Sequence, residues 1–182
     1  MARAIGMVEY TTVSTGVQAA DTLIKTSNIE VIEAQVVCPG KYIVIISGEL
    51  SAIKASIDAA KVQHGEKLID SFVLGNVHEG VFPAIYATVN IEKPRALGVI
   101  ETFSGASAIV AADAAAKTAD VTLIELRIAR GMCGKSYAIM TGEVAAVNAA
   151  IERAKSAAGD KGMLLDSSII ANPDPKLWEK IL

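Results

Sequence analysis

Residues 36–50 read VVCPGKYIVIISGEL, and residues 132–144 read MCGKSYAIMTGEV. Each stretch holds a Gly-Lys turn, an apolar run, then Gly-Glu and the start of an alanine-rich segment. In the first, EVIEAQVV (30–37) and KYIVIISG (41–48) are β-rich runs separated by Pro39 and Gly40, the pattern of an antiparallel hairpin. Gly48 ends the second strand. A helix is expected from Glu49 to about Ala60, its acidic first turn lying beside unsatisfied amides and the positive end of the helix dipole.

Working outward from the hairpin, the two stretches prove to be parts of one long repeat. RAIGMVEY (3–10) recurs as RALGVIET (95–102), a displacement of 92 residues. At the same displacement Ala19, Ala20, Asp21, Lys25 and Thr26 meet Ala111, Ala112, Asp113, Lys117 and Thr118, and Glu33 meets Glu125. Past the turn Gly40, Lys41, Gly48 and Glu49 meet Gly134, Lys135, Gly142 and Glu143, so the second copy gains two residues there. Asp70, Ser71 and Asn76 then meet Asp166, Ser167 and Asn172. Matches that keep their order through two small insertions indicate a tandem duplication joined near NIEKPR (90–95). The expected domains are residues 1–91 and 92–182.

Each copy predicts the same elements. Ala4 to Tyr10 suits a strand. Ser14 or Thr15 is placed to cap a helix whose apolar positions include Val17, Ala20, Leu23 and Ile24, ending near Ser27 and Asn28. After the hairpin and its helix, KLIDSFVLGNV (67–77) reads as a further strand and Glu79 to Tyr86 as a short helix. The second copy repeats this through a strand at Leu164 to Ile170 and a tail at Lys176 to Ile181. The fold class is α+β: two domains in tandem, each an antiparallel sheet flanked by helices.

Composition narrows the function classes. The 182 residues are 52% hydrophobic but only 4% aromatic, so the interior is packed mainly by Ala, Val, Ile and Leu, and the apolar excess suggests surface covered by partners. A net charge of -3 and the lack of a basic run argue against nucleic acid. MARAIGMVEY has no long apolar region before a cleavage site, so it does not read as a signal peptide, and no window supplies the uninterrupted apolar run of a membrane span. Two cysteines, Cys38 and Cys133, form no disulfide framework and no Cys-x-x-Cys pair, which points to a reducing cytoplasm.

Several motifs carry no chemistry on inspection. RGMCGKS (130–136) ends like a phosphate-binding loop, but Ala129 stands where the first glycine is required and YAIMTG (137–142) reads as a strand instead of the necessary helix. His64 and His78 lack metal-ligand spacing. Glu9 and Glu101 are repeat equivalents better read as structural or surface groups than as a catalytic pair. A duplicated enzyme with an active site between the repeats would need an acid, a base and an electrophilic group, and no such set is present.

The residues AIGMVE (4–9), the Asp21-x-x-x-Lys25 spacing, the turn before GELSAIKA (48–55) and the Val77-His78-Glu79 close resemble bacterial microcompartment shell proteins, with weaker forms throughout the second repeat. The resemblance spans essentially the whole chain. A tandem pair resembles the class in which three chains form a pseudohexagonal tile, which implies a homotrimer, lateral contact with other shell proteins, a place in the microcompartment shell of the cytoplasm, and no enzymatic reaction. By that resemblance Lys25 and Lys117 belong to tile edges and assembly. A lysine at the end of a helix also serves simply to complement the dipole.

The Cys38-Pro39-Gly40-Lys41 turn and the ending NPDPKLWEKIL (172–182) resemble, more narrowly, a propanediol-utilisation shell family with an iron–sulfur centre on its threefold axis. This implies Cys38 as a metal ligand, with Pro39 and Gly40 shaping the turn around one 4Fe-4S cluster per trimer and redox partner enzymes inside the shell. One cysteine per chain cannot fill the four thiolate positions of such a centre, but three turns about an axis could present three. The competing reading keeps Cys38 as a small apolar group at a strand end and makes the turns line an opening for small metabolites or ions. Lys41, Met132, Cys133, Gly134 and Lys135 belong to the same opening or to the second turn. Cys133 aligns with Pro39, one position past Cys38, so the second turn does not reproduce the first.

Overall fold

A computed structural model describes residues 3–159 and 162–182. By internal contacts the chain divides into a first unit ending at Val77 and a second beginning at His78.

The first unit contains β1 (Ala4–Tyr10), α1 (Val13–Thr26), β2 (Glu30–Val37), β3 (Lys41–Gly48), α2 (Leu50–His64), a 3-10 turn at Gly65–Lys67 and β4 (Leu68–Leu74). Its sheet has the order β2-β3-β1-β4, and every neighbouring pair is antiparallel. Because β1 lies between β3 and β4, all seven of its residues are buried. Ala4, Val8 and Tyr10 on β1 join Val44 and Ile46 on β3, Leu23 on α1, and Ile53, Ile57 and Ala60 on α2 in one core. Gly6 lets α2 sit close: a Cβ there would lie 2.7 Å from Ile53 Cγ2. The Ser56 hydroxyl, buried between the two helices, donates to the Leu23 carbonyl at 3.0 Å.

The second unit opens with α3 (Val81–Ile85), followed by β5 (Ala96–Thr102), α4 (Gly105–Thr118), β6 (Val121–Arg127), β7 (Ser136–Gly142), α5 (Val144–Gly159), β8 (Leu164–Ile170) and α6 (Pro175–Ile181). Its sheet order is β6-β7-β5-β8. The register repeats that of the first unit: Ala4 faces Gly48 and Ala96 faces Gly142, while Tyr10 faces Tyr42 and Thr102 faces Ser136. Even the irregularities recur, at Glu9/Tyr10 and at Glu101/Thr102. Gly98 takes the place of Gly6, with a Cβ there falling 2.8 Å from Val147 Cγ1 on α5. The alpha+beta duplication expected from the sequence is therefore present in strand order, pairing and helix packing.

Helix ends differ from the expectation: α3 is Val81–Ile85, inside the anticipated Glu79 to Tyr86, and α2 starts at Leu50 with Glu49 as its N-cap, so no acidic residue lies in its first turn. α1 begins at Val13 after an extended Thr12, one residue before the anticipated Ser14 cap. α2 runs on to His64, past Ala60, because neither glycine nor proline interrupts it before Gly65.

Candidate pore and assembly sites

In the first unit the turn Cys38-Pro39-Gly40 joins β2 to β3 at the end of the sheet where Tyr10 and Tyr42 pair. Gly40 has φ +78 with no atom near a prospective Cβ, so backbone conformation and not space requires glycine there. Pro39 and Gly40 are exposed and Cys38 is half-buried. Beneath the turn the Lys41 ammonium lies 2.5 Å from Glu9 Oε1, with the carboxylate of Glu9 almost wholly buried. Lys41 is thus anchored into the sheet and Glu9 is its structural partner.

The second turn is longer and more strongly bent. Ala129, Gly131, Cys133 and Gly134 all have φ between +53 and +89. Ser136 Oγ accepts the Ala129 N–H at 3.0 Å inside the turn, and the Lys135 N–H donates to the Met132 carbonyl at 3.0 Å. Cys133 is exposed, and Met132 and Lys135 are half-buried. Beside the turn, Arg127 pairs with Glu125 at 2.7 Å and lies 5.6 Å over the Tyr137 ring, and the Tyr137 hydroxyl donates to Glu125 Oε2 at 2.9 Å. Burial first, and then the Glu125 hydrogen bond, pushes the Tyr137 phenol up to about 12. The Glu125 bond likewise raises the already high Arg127 pKa. Sequence reading missed this Glu125–Arg127–Tyr137 group. Its signal was available: Glu125 and Arg127 are two apart on one strand and therefore share a face.

At the opposite end of the first unit, Arg3, Asn28, Ile29, Glu30, Ser47, Gly48 and Glu49 line a recess of about 430 Å³. Arg3 reaches Glu30 at 2.7 Å. Lys25, in the last turn of α1, belongs to this end, because α1 runs back along the sheet from Tyr10. The seven residues of β1 put about 20 Å between it and the Gly40 turn, at ~3.3 Å of rise per residue. The second unit is laid out alike: Lys117 closes α4 at the end where Arg95 pairs with Glu143, and the 129–135 turn lies at the other. The two lysines differ in their surroundings. Lys25 pairs at 2.6 Å with an exposed Asp21, whereas Lys117 pairs at 2.7 Å with a buried Asp113 that also accepts the His78 backbone N–H at 2.8 Å.

The structure overturns the iron–sulfur expectation. Among the described residues no group of three or more His, Cys, Asp or Glu side chains could hold a metal ion. Both cysteines are free thiols. Cys38 has Pro39 and Gly40 beside it, neither with a ligating side chain, and the Glu9 carboxylate on β1 is engaged by Lys41. A four-iron centre requires a gathered set of soft ligands, and the residues present do not fit it. The described residues therefore support neither the cluster, nor its assignment to Cys38, Pro39 and Gly40, nor the electron-transfer role. The histidines serve the fold: His64 Nε2 lies 3.0 Å from Thr22 Oγ1 and its ring meets Tyr10 edge-on, while His78 Nδ1 accepts the Gly80 N–H at 3.2 Å.

The duplicated layout has a counterpart among known proteins: the BMC domain matches residues 4–77 and again 96–173. The chain belongs to the BMC-domain family of bacterial microcompartment shell proteins. This shell protein is 36% identical to the bacterial microcompartment shell protein PduT of Citrobacter freundii, over all of this chain and 99% of that one. It is 29% identical to the carboxysome assembly protein CcmO of Synechococcus elongatus, over 99% of this chain and 69% of that one. A crystal structure of a microcompartment protein from Desulfitobacterium hafniense DCB superposes with a TM-score of 0.95 at 42% identity, covering 98% of this chain and 99% of that one. The family is a structural, non-catalytic class, and membership places the shell protein in the cytoplasmic microcompartment shell, assembled in a lattice with others of its kind. Among the described residues no helix is long and apolar enough to cross a membrane.

Proposed function

We propose that three copies of this shell protein close into a pseudohexagonal tile, each contributing two BMC domains, residues 1–91 and 92–182, and that the six hairpin turns ring a central opening. Small metabolites or ions pass through it passively. Pro39, Gly40, Lys41, Met132, Cys133, Gly134 and Lys135 line or support this opening, and Lys25 and Lys117 belong to the outer edge where tiles meet.

One observation carries the reading: in both units the glycine-bent turn and the helix-terminal lysine occupy opposite ends of the same sheet. A tile needs that polarity, since residues that line a centre cannot also form the perimeter. The second turn supports an open lining, with an exposed Cys133 and a Lys135 that has no ion pair among the described residues. The long stem of each edge lysine can pack along a neighbouring tile while its ammonium meets carbonyl oxygens.

The test is solute entry into shells that contain this protein as the variable tile. Pro39→Trp with Met132→Trp places bulk at both turns without altering a left-handed residue. Slower uptake of a small anionic indicator than with the unsubstituted tile supports the opening. Equal uptake, with both tiles incorporated to the same extent, overturns it.

A further inference from the structure

The ending NPDPKLWEKIL (172–182), which has no part in the tile reading, builds one wall of a cavity. The cavity lies wholly within the second unit, between the 91–95 segment, the start of α5, and α6. Its volume is about 770 Å³, in the range that takes a drug-sized ligand. The walls are stiff. Pro94, Pro173 and Pro175 line it, and the Asp174 side chain caps α6 by accepting the Lys176 N–H at 2.8 Å. Trp178, only 7% exposed, ties α6 to Leu97 and Ile124 in a small core against which Ile91 also packs. One core thus holds both sides of the opening, so little ordering opposes binding there.

The lining specifies what the cavity accepts. Ile91, Pro94, Val144, Pro173 and Leu182 give it apolar surface. Trp178 lines it too, and its indole N–H has no hydrogen-bond partner among the described residues. There, the side-chain atom both sealed from solvent and unpartnered is Ser47 Oγ, so the indole N–H is not sealed and opens onto the cavity that Trp178 lines. Glu92, Glu143 and Glu179 stand against a single lining cation, Arg95, which is already paired with Glu143. Glu92 and Glu179 have no ion pair among the described residues, and Lys93, Lys176 and Lys180 on the same segments do not line the cavity. Two unpaired carboxylates beside apolar walls repel an anion and attract a cation.

We propose that this cavity binds a small organic cation. The ligand's apolar body sits against Val144, Pro173 and Trp178, its ammonium faces Glu92 and Glu179, and an oxygen atom on it accepts the Trp178 N–H. The inference goes beyond the tile reading and does not depend on it, since every residue involved belongs to one unit of one chain.

Trp178 is the only tryptophan in the sequence, so its fluorescence reports this cavity directly. The purified full-length chain is titrated with phenylalaninol, which joins an aromatic body to an ammonium and a hydroxyl. A saturable shift or quenching of the emission is expected. Hydrocinnamyl alcohol, which lacks the ammonium, and hydrocinnamate, which carries a carboxylate, are each expected to bind at least about tenfold more weakly. Glu92→Gln with Glu179→Gln is expected to weaken phenylalaninol binding about tenfold and to leave hydrocinnamyl alcohol unaffected. Both positions are exposed, so an unchanged far-ultraviolet circular dichroism spectrum is expected of that variant. The absence of any saturable response to phenylalaninol overturns the site. A response that hydrocinnamyl alcohol matches, or that the double variant leaves unaltered, overturns the recognition of a cation.

Discussion

Lys41 Nζ lies 2.5 Å from Glu9 Oε1, joining the residue that follows the first hairpin turn to the central strand beneath it. The Glu9 side chain is only 9% exposed and the Lys41 side chain 24%. A lysine that sequence alone would leave in solvent is thus a strut between turn and sheet. Since burying a charge is tolerated only with a partner, removing either member leaves the other inadequately solvated.

Glu9→Gln is therefore expected to destabilise the protein by about 2 kcal/mol, below the upper range for fully buried pairs because Lys41 retains some water. Glu9→Gln with Lys41→Met is expected to recover part of that loss. Urea denaturation of wild type and the two variants checks it, and equal midpoints for wild type and Glu9→Gln would show that the pair is inconsequential.

Glycine substitutions separate space from conformation. Gly6→Ala and Gly98→Ala drive a Cβ to 2.7 Å from Ile53 and 2.8 Å from Val147, so each is expected to cost about 1–3 kcal/mol by overpacking. Gly40→Ala meets no atom but strains a left-handed backbone, for about 1 kcal/mol. In an Ile53→Ala background, which removes the Cγ2 atom in the way, the cost of Gly6→Ala should shrink while that of Gly40→Ala is unchanged, as read by thermal melting.

The layout of the chain was largely legible in its sequence, for physical reasons that also mark where the reading stopped. The displacement from Arg3 to Arg95 and the Pro39-Gly40 punctuation specify a duplicated hairpin, since turn chemistry and strand alternation are local. The group formed by Glu125, Arg127 and Tyr137 was less visible, because it depends on which residues of β6 and β7 face each other across the pair. The different burial of Asp21 and Asp113 was not legible at all. Their local sequences agree, and only the packing of the segment after Val77 distinguishes them. The iron–sulfur centre was inferred from resemblance at the Cys38 turn and the 172–182 ending, and resemblance does not supply the missing ligands around Cys38.

Lys25 and Lys117 should separate by the same logic. Lys25→Ala removes an exposed pair worth little to folding, under about 0.5 kcal/mol, whereas Lys117→Ala unpairs a buried Asp113 and is expected to cost more, about 1–2 kcal/mol. If both lysines serve the tile edge, the double variant should remain folded and yet form fewer or smaller sheets by negative-stain electron microscopy. Extended sheets of ordinary size from the double variant would remove Lys25 and Lys117 from the perimeter.

Alkaline stability should report the buried phenols. Burial pushes Tyr10, whose hydroxyl donates to the Ala60 carbonyl at 3.2 Å, up to about 12 from 10.0. Above pH 10 the unfolded chain gives up this proton while the folded chain keeps it, so unfolding is progressively favoured until about pH 12, and the contribution is complete below pH 10. Tyr10→Phe is expected to melt lower at pH 8, having lost a hydrogen bond of about 1 kcal/mol, but to lose less stability between pH 9.5 and 11.5. Parallel pH slopes for the two proteins would contradict the burial of an un-ionised phenol.

Electron cryomicroscopy of the purified assembly tests the tile most directly, because it locates both ends of every sheet at once. The account predicts three chains with the Gly40 and Gly134 turns around a central opening and with Lys25 and Lys117 at the perimeter. An assembly in which those turns lie at the outer boundary, or in which the lysines face the centre, would contradict it.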